Sequence, residues 1–99
     1  MMKNSAILLN VARGEVVDEN ALDAALKAEE LRYAVLDVQS QEPPKEDYPL
    51  YKNEKVILTP HMASNTEECM GRMAFHAAMQ IHKVLSGGQP DWPVNHPKF

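Results

Sequence analysis

Cysteine is almost missing from this 99-residue chain. Cys69 stands alone, so no disulfide can close within it. Folds stapled by disulfides are excluded, and a reducing, cytoplasmic setting is expected. Long apolar runs are missing too. The run near the start, Ala6 to Leu9, has four residues, far short of the roughly 20 that a membrane span needs. No signal-peptide cleavage pattern follows it. An excess of positive charge is also lacking. Ten Lys and Arg stand against fourteen Asp and Glu, a net charge of −4, and the basic residues form no stripe. Neither nucleic acid nor an anionic membrane is expected as a partner. Glycine is scarce. Gly14, Gly71, Gly87 and Gly88 are the four, and no G-x-G-x-x-G arises from them. Internal repeats and low-complexity segments are absent.

What is present reads as a small globular unit, 44% hydrophobic and 24% charged. A chain this short buries a modest share of its surface, and its stability is expected to be marginal. Ala6-Ile7-Leu8-Leu9 is apolar without alternation, which predicts a strand buried on both faces and ending near Asn10. Asp18 suits a helix N-cap, and Ala21, Leu22, Ala25 and Leu26 follow at helical spacing. A helix from about Glu19 to Glu30 is predicted. Tyr33 to Val38 makes a second strand. Gln39 to Asn53, polar and proline-rich, makes a long loop. Val56 to Thr59 makes a third strand, stopped by Pro60.

Ser64 with Glu67, and Asn65 with Glu68, have capping-box spacing. A helix of about five turns should follow, its apolar face running from Met70 through Met73, Ala77, Ile81 and Val84 to Leu85. Gly87 and Gly88 should end it. The tail from Gln89 to Phe99 holds three prolines and is expected to be extended. The order strand, helix, strand, loop, strand, helix predicts an α/β fold. It corresponds to the second half of a doubly wound, Rossmann-like parallel sheet with a long C-terminal helix.

Ligands of such sheets bind beyond the carboxyl ends of the strands. There each strand delivers one ionisable residue: Arg13 after the first, Glu42 after the second, His61 after the third. Singly, each also fits a plain structural role: Arg13 as a solvated loop residue, Glu42 as a turn residue, His61 as a helix cap. Together they suit one reaction. A guanidinium fork holds a carboxylate by two parallel hydrogen bonds. An imidazole delivers a proton near neutral pH, and a carboxylate beside it orients the ring. The three suit reduction of a 2-oxo acid. Since no side chain supplies a hydride, a nicotinamide is required. Asp37 is a carboxylate at an apolar strand end, which costs free energy unless it is paired. His76 and His82 are six residues apart and share a helix face poorly, so no metal site is expected.

The stretch Met2-Lys3-Asn4-Ser5-Ala6-Ile7-Leu8-Leu9-Asn10-Val11-Ala12-Arg13-Gly14-Glu15-Val16-Val17-Asp18 resembles the long signature of the D-isomer-specific 2-hydroxyacid dehydrogenases. Leu36-Asp37-Val38, Glu42-Pro43 and Thr59-Pro60-His61 resemble that family's later motifs, in the same order. The resemblance spans roughly residues 2 to 95. It implies Arg13 as the substrate-binding arginine, His61 as the acid/base and Glu42 as its carboxylate partner. It implies that Asp37 contacts the nicotinamide end of the cofactor. The backbone around Val11, Ala12 and Arg13 and the stretch from His61 to Ser64 would line the nicotinamide site. The cofactor implied is NAD, with NADP the other option. Formate dehydrogenases of the wider family carry glutamine at the position of Glu42, which argues against formate. Asp91-Trp92-Pro93-Val94-Asn95 is similar to the ending of phosphoglycerate dehydrogenases and hydroxypyruvate reductases.

The resemblance implies that residues 1–64 form part of a dinucleotide-binding domain without its G-x-G-x-x-G loop. Residues 65–99 would be a helix and tail that pack toward a substrate domain outside the chain. On this reading the chain is a C-terminal piece of an oxidoreductase acting on D-2-hydroxy acids and is inactive alone. Its uncovered apolar helix face and sheet edge predict a homo-oligomer. The other reading is a non-catalytic interaction module on the same fold, as in the related C-terminal-binding corepressors.

Overall fold

A computed structural model describes residues 2–95. The chain divides after Ala63 into two units. In the first, strand β1 (Ile7–Asn10), helix α1 (Glu19–Lys27), β2 (Tyr33–Leu36) and β3 (Val56–Leu58) follow in order. All pairing is parallel, in the order β1-β2-β3. Leu8 lies beside Ala34 and Leu36 beside Leu58.

Helix α1 starts where a side chain can take its orphan N–H groups. The Asp18 carboxylate accepts from the N–H of Asn20 and Ala21, which is how an N-cap works. The helix ends at Lys27, three residues sooner than the sequence suggests. Glu29 takes a left-handed φ of 60°, and Glu30 N–H donates to Ala25 C=O. This stop is usually made by glycine. Leu22 and Leu26 of α1 cluster with Ala34 and Leu36 of β2. The long loop contributes as well, because a 3-10 turn, Pro49–Lys52, drives Leu50 into the same core beside Tyr48.

The expectation that β1 is buried on both faces is corrected. Leu8 faces the core, whereas Ile7 and Leu9 are 56% and 64% exposed. Tyr33 and Ile57, on the same side of neighbouring strands, are exposed too. Side chains alternate across a strand, and α1 covers one face only. An apolar run shows that a strand is prepared for burial but supplies no cover.

The second unit holds α2 (Glu67–Leu85). Its N-cap is Thr66, whose Oγ1 accepts from Cys69 N–H, one to two residues later than the spacing of Ser64 and Asn65 suggests. Gly87 adopts φ 82°, and Gly88 N–H donates to Lys83 C=O. This closes the helix as expected. The tail returns along α2 rather than leaving it. Asp91 N–H donates to Gln80 Oε1, and the Asp91 carboxylate accepts from Gln80 and Lys83. Residues 96–99, the end of the expected extended tail, lie outside the described residues. No residue of α2 is buried.

Candidate active site

The carboxyl ends of the three strands build the site. Beyond β1, the Asn10 side chain shapes the turn. Its Oδ1 accepts from Ala12 N–H and its Nδ2 donates to Arg13 C=O. Arg13 is therefore held on a fixed backbone while its side chain stays outside the core. Nη1 donates to Ala12 C=O at 2.7 Å, its only side-chain hydrogen bond among the described residues. The other N–H groups of the fork are free to take a ligand.

Gly14 follows, and no other residue fits there. A Cβ on it would lie 2.0–2.2 Å from the backbone of Gln39 and Ser40. This close approach of two main chains brings the first loop against the second. Beyond β2, Gln39 N–H donates to Glu42 Oε1, fixing one carboxylate oxygen. The other, Oε2, lies 2.6 Å from His61 Nδ1. The His61 contact, first, and the Gln39 N–H, second, hold the Glu42 carboxyl below its ordinary range, with Arg13 adding a smaller pull.

Beyond β3, the chain turns at Pro60 and enters the left-handed region at His61, φ 52°. For a residue other than glycine this costs of order 1–3 kcal/mol. The buried Asp37 carboxylate offsets it. Oδ1 accepts from Thr59 Oγ1 at 2.6 Å and from Met62 N–H at 2.9 Å, and Oδ2 accepts from Ala63 N–H at 2.8 Å. These donors, Thr59 foremost, hold Asp37 below the usual carboxylate range against the opposing effect of burial.

Arg13, Glu42 and His61 thus line one open cavity of about 260 Å³, together with Gly14, Glu15, Gln39 and Ser40. The three residues expected to converge do so. Asp37 lies behind the His61 turn, out of solvent at 4% exposure. Val11 and Ala12 form the exposed end of β1's loop. Ser64 is exposed and opens the second unit. Sequence reasoning passed over Asn10, Gln39 and Thr59. Polar residues at the ends of apolar strands, such as Asn10 and Thr59, were the available signal.

A parallel α/β sheet thus carries an arginine and a histidine–carboxylate pair together at its carboxyl end. Comparison with known proteins gives the family. The family model for the D-isomer specific 2-hydroxyacid dehydrogenase, NAD binding domain, matches residues 1–63, and the chain belongs to that family. It is 46% identical over 99 residues to D-3-phosphoglycerate dehydrogenase of Methanocaldococcus jannaschii, covering all of this chain and 19% of that one. It is 48% identical over 94 residues to glyoxylate reductase of Thermofilum pendens, covering 95% of this chain and 28% of that one. The chain therefore spans 19% to 28% of the length of these relatives. Among solved structures, a D-isomer specific 2-hydroxyacid dehydrogenase from Xanthobacter autotrophicus in complex with NADPH and MES superposes with a TM-score of 0.78. It is 35% identical, with 95% of this chain and 38% of that one covered. D-lactate dehydrogenase with NAD+ from Lactobacillus jensenii gives a TM-score of 0.69 at 32% identity, with 96% and 32% covered. No helix among the described residues is long and apolar enough to cross a membrane.

Proposed function

We propose that this chain carries the substrate-side catalytic residues of an NAD(P)-dependent oxidoreductase that interconverts 2-oxo acids and D-2-hydroxy acids. The observation that carries this reading is the 2.6 Å contact between His61 Nδ1 and Glu42 Oε2, in one cavity with Arg13. With Nδ1 committed to Glu42, Nε2 is the ring nitrogen left to face a substrate. The Arg13 fork takes the substrate carboxylate in two parallel hydrogen bonds. His61 Nε2 gives its proton to the carbonyl oxygen, and Glu42, bonded to Nδ1, holds the ring in orientation for the transfer. In oxidation His61 takes the hydroxyl proton back.

The residues fit a nicotinamide in kind. An ionised carboxylate has about four acceptor positions, and Asp37 uses two on Oδ1 and one on Oδ2. Oδ2 thus retains capacity for a carboxamide N–H, and the Val11–Ala12 backbone and the stretch from His61 to Ser64 would hold the nicotinamide. When bound, the nicotinamide supplies or accepts the hydride at the substrate carbon. The 99 residues hold no G-x-G-x-x-G, so no steady-state turnover is expected from them alone. In the complete arrangement, residues 1–64 contribute part of the dinucleotide domain and 65–99 extend toward a substrate domain. The single cysteine suits a cytoplasmic setting.

The test is an NADH titration of the purified chain, followed by nicotinamide fluorescence, in the presence of a 2-oxo acid and with His61→Ala as control. Saturable binding weakened in the variant is expected. Equal behaviour of both proteins up to millimolar cofactor overturns the reading.

One observation favours a second reading, an interaction module. Among the described residues, Ile7, Leu9, Tyr33 and Ile57 leave a sheet face exposed, and β1 has an edge that pairs with no strand. Exposed apolar faces and edges of this kind promote association. A homo-oligomeric mass by light scattering together with no saturable NADH binding supports it, and a monomeric mass at moderate concentration counts against it.

A further inference from the structure

We infer that Asp37 is a positioning residue for His61: its carboxylate fills a nest of backbone N–H groups, holds the histidine in a left-handed turn, and so aims the imidazole at Glu42. Successive N–H groups in a turn converge on one point and form a concavity that takes an anion. Here Met62 and Ala63 are the successive donors, reaching Asp37 at 2.9 and 2.8 Å. The residue before them, His61, is the one with φ 52°. The anion comes from the protein itself, from a strand end two loops away in sequence.

Further bonds anchor the cradle to the sheet. Thr59 Oγ1 donates to the carboxylate from the end of β3. Thr59 N–H donates to Leu36 C=O, and Asp37 N–H donates to Asn10 C=O. Asp37 is thereby tied to its neighbours on both sides, its backbone to the end of β1 and its carboxylate to the end of β3. Its position is set by the sheet, and the His61 turn copies it. This is a different task from touching a cofactor, and it requires none to be bound.

The inference rests on His61 as the proton carrier, but its test reads ring geometry and not turnover. The 99-residue chain is examined by NMR with ring-nitrogen labelling of histidine, and amide exchange is followed in parallel. The wild type is expected to show His61 in one tautomer, with a downfield Nδ1 proton shared with Glu42. Asp37→Asn keeps the size but removes the charge and turns one oxygen into a donor. It is expected to lose the single-tautomer signature and to speed exchange of the Met62 and Ala63 amides by roughly tenfold or more, with exchange in the β1–β2 and β2–β3 ladders unchanged. Thr59→Val should give a smaller shift in the same direction, and Thr59→Ser should restore the wild-type signal. A folded Asp37→Asn that keeps the His61 signature overturns the inference. Where Asp37→Asn fails to fold, an unchanged signature and unchanged Met62 and Ala63 exchange in Thr59→Val overturn it instead. Failure of NADH to bind the wild type would sink the functional reading and leave this measurement intact.

Discussion

Glu42 divides its two carboxylate oxygens between two loops: Oε1 accepts from Gln39 N–H at 3.0 Å, and Oε2 meets His61 Nδ1 at 2.6 Å. One residue therefore joins the turn after β2 to the turn after β3. The Asp37 carboxylate, 4% exposed, joins the same two strand ends from beneath. Both carboxyls are held below their ordinary values of 4.5 and 3.8, Glu42 chiefly by His61 and Asp37 chiefly by Thr59.

The sign of the pH dependence follows from that direction. A carboxyl whose folded value is depressed contributes stability that is fully present above its unfolded value and is lost as pH falls through the folded one. The carboxyl end of the sheet should hold down to pH near 4.5 and weaken below it. Urea unfolding between pH 6 and pH 3 measures this. Glu42→Gln has no carboxyl to protonate, so its stability should change less across that window. An equal slope in both proteins would show that Glu42 is not tied to the folded state.

Gly14→Ala tests the contact between the first two loops. The added Cβ falls 2.0–2.2 Å from Gln39 and Ser40 backbone atoms, and main chain cannot swing aside as a flexible side chain does. Overpacking of this kind costs about 1–3 kcal/mol or more. The loops must part, carrying Arg13 away from Glu42. Reduced stability in urea, together with weaker binding of a 2-oxo acid analogue, is expected.

Much of the fold was legible because the local signals agreed with one another. Asp18 announced the start of α1, Gly87 the end of α2, and the apolar runs gave three strands within a residue or two. The convergence of Arg13, Glu42 and His61 followed from topology alone, since parallel strands put their following loops at one end. Three features left little or no local trace. Glu29 ends α1 with a left-handed residue where glycine is usual, so the sequence shows no stop. Leu50 enters the core from a proline-rich loop, because a tertiary contact and not a local period places it. The cradle around Asp37 joins residues 22 to 26 positions apart, beyond the reach of any spacing rule. Its one visible hint was the cost of a carboxylate at an apolar strand end.

Tyr48→Phe should be neutral or mildly stabilising. The Tyr48 hydroxyl is buried and finds no hydrogen-bond partner among the described residues. Burial, and then the nearby Glu19 carboxylate, push the phenol well above its ordinary value, so it stays neutral. A buried hydroxyl without a partner carries a desolvation cost of about 1–3 kcal/mol. Removing it while keeping the ring, which packs edge-on against Tyr51 at 5.4 Å, should raise the midpoint of thermal unfolding. A clear drop would mean that the hydroxyl has a partner in solution, with the Glu19 carboxylate that raises its value the candidate.

Leu26→Ala should unfold the first unit or nearly so. Leu26 is wholly buried in the cluster formed by Leu22, Leu36 and Leu50, and such truncations cost about 2–5 kcal/mol. Ile7→Ser on the open sheet face is the matched control. Ile7 is 56% exposed, so its loss should leave chain stability nearly unchanged. If that face mediates self-association, Ile7→Ser should instead lower the mass seen by light scattering. Circular dichroism and light scattering on the two variants separate core from surface.

Arg13→Lys separates charge from geometry at the substrate end. Lysine keeps the positive charge but loses the planar fork, so a carboxylate held by two parallel bonds would be held by one at most. The Asn10 side chain fixes the backbone on either side of Arg13, bonding Ala12 N–H and Arg13 C=O. The substitution should therefore leave the loop in place and change only what reaches the ligand. Loss of one charge-assisted hydrogen bond is about 1.5–3 kcal/mol, so a 2-oxo acid analogue should bind roughly ten- to a hundredfold more weakly, with NADH binding little altered. Equal weakening of both ligands would mean that Arg13 supports the loop and not the substrate.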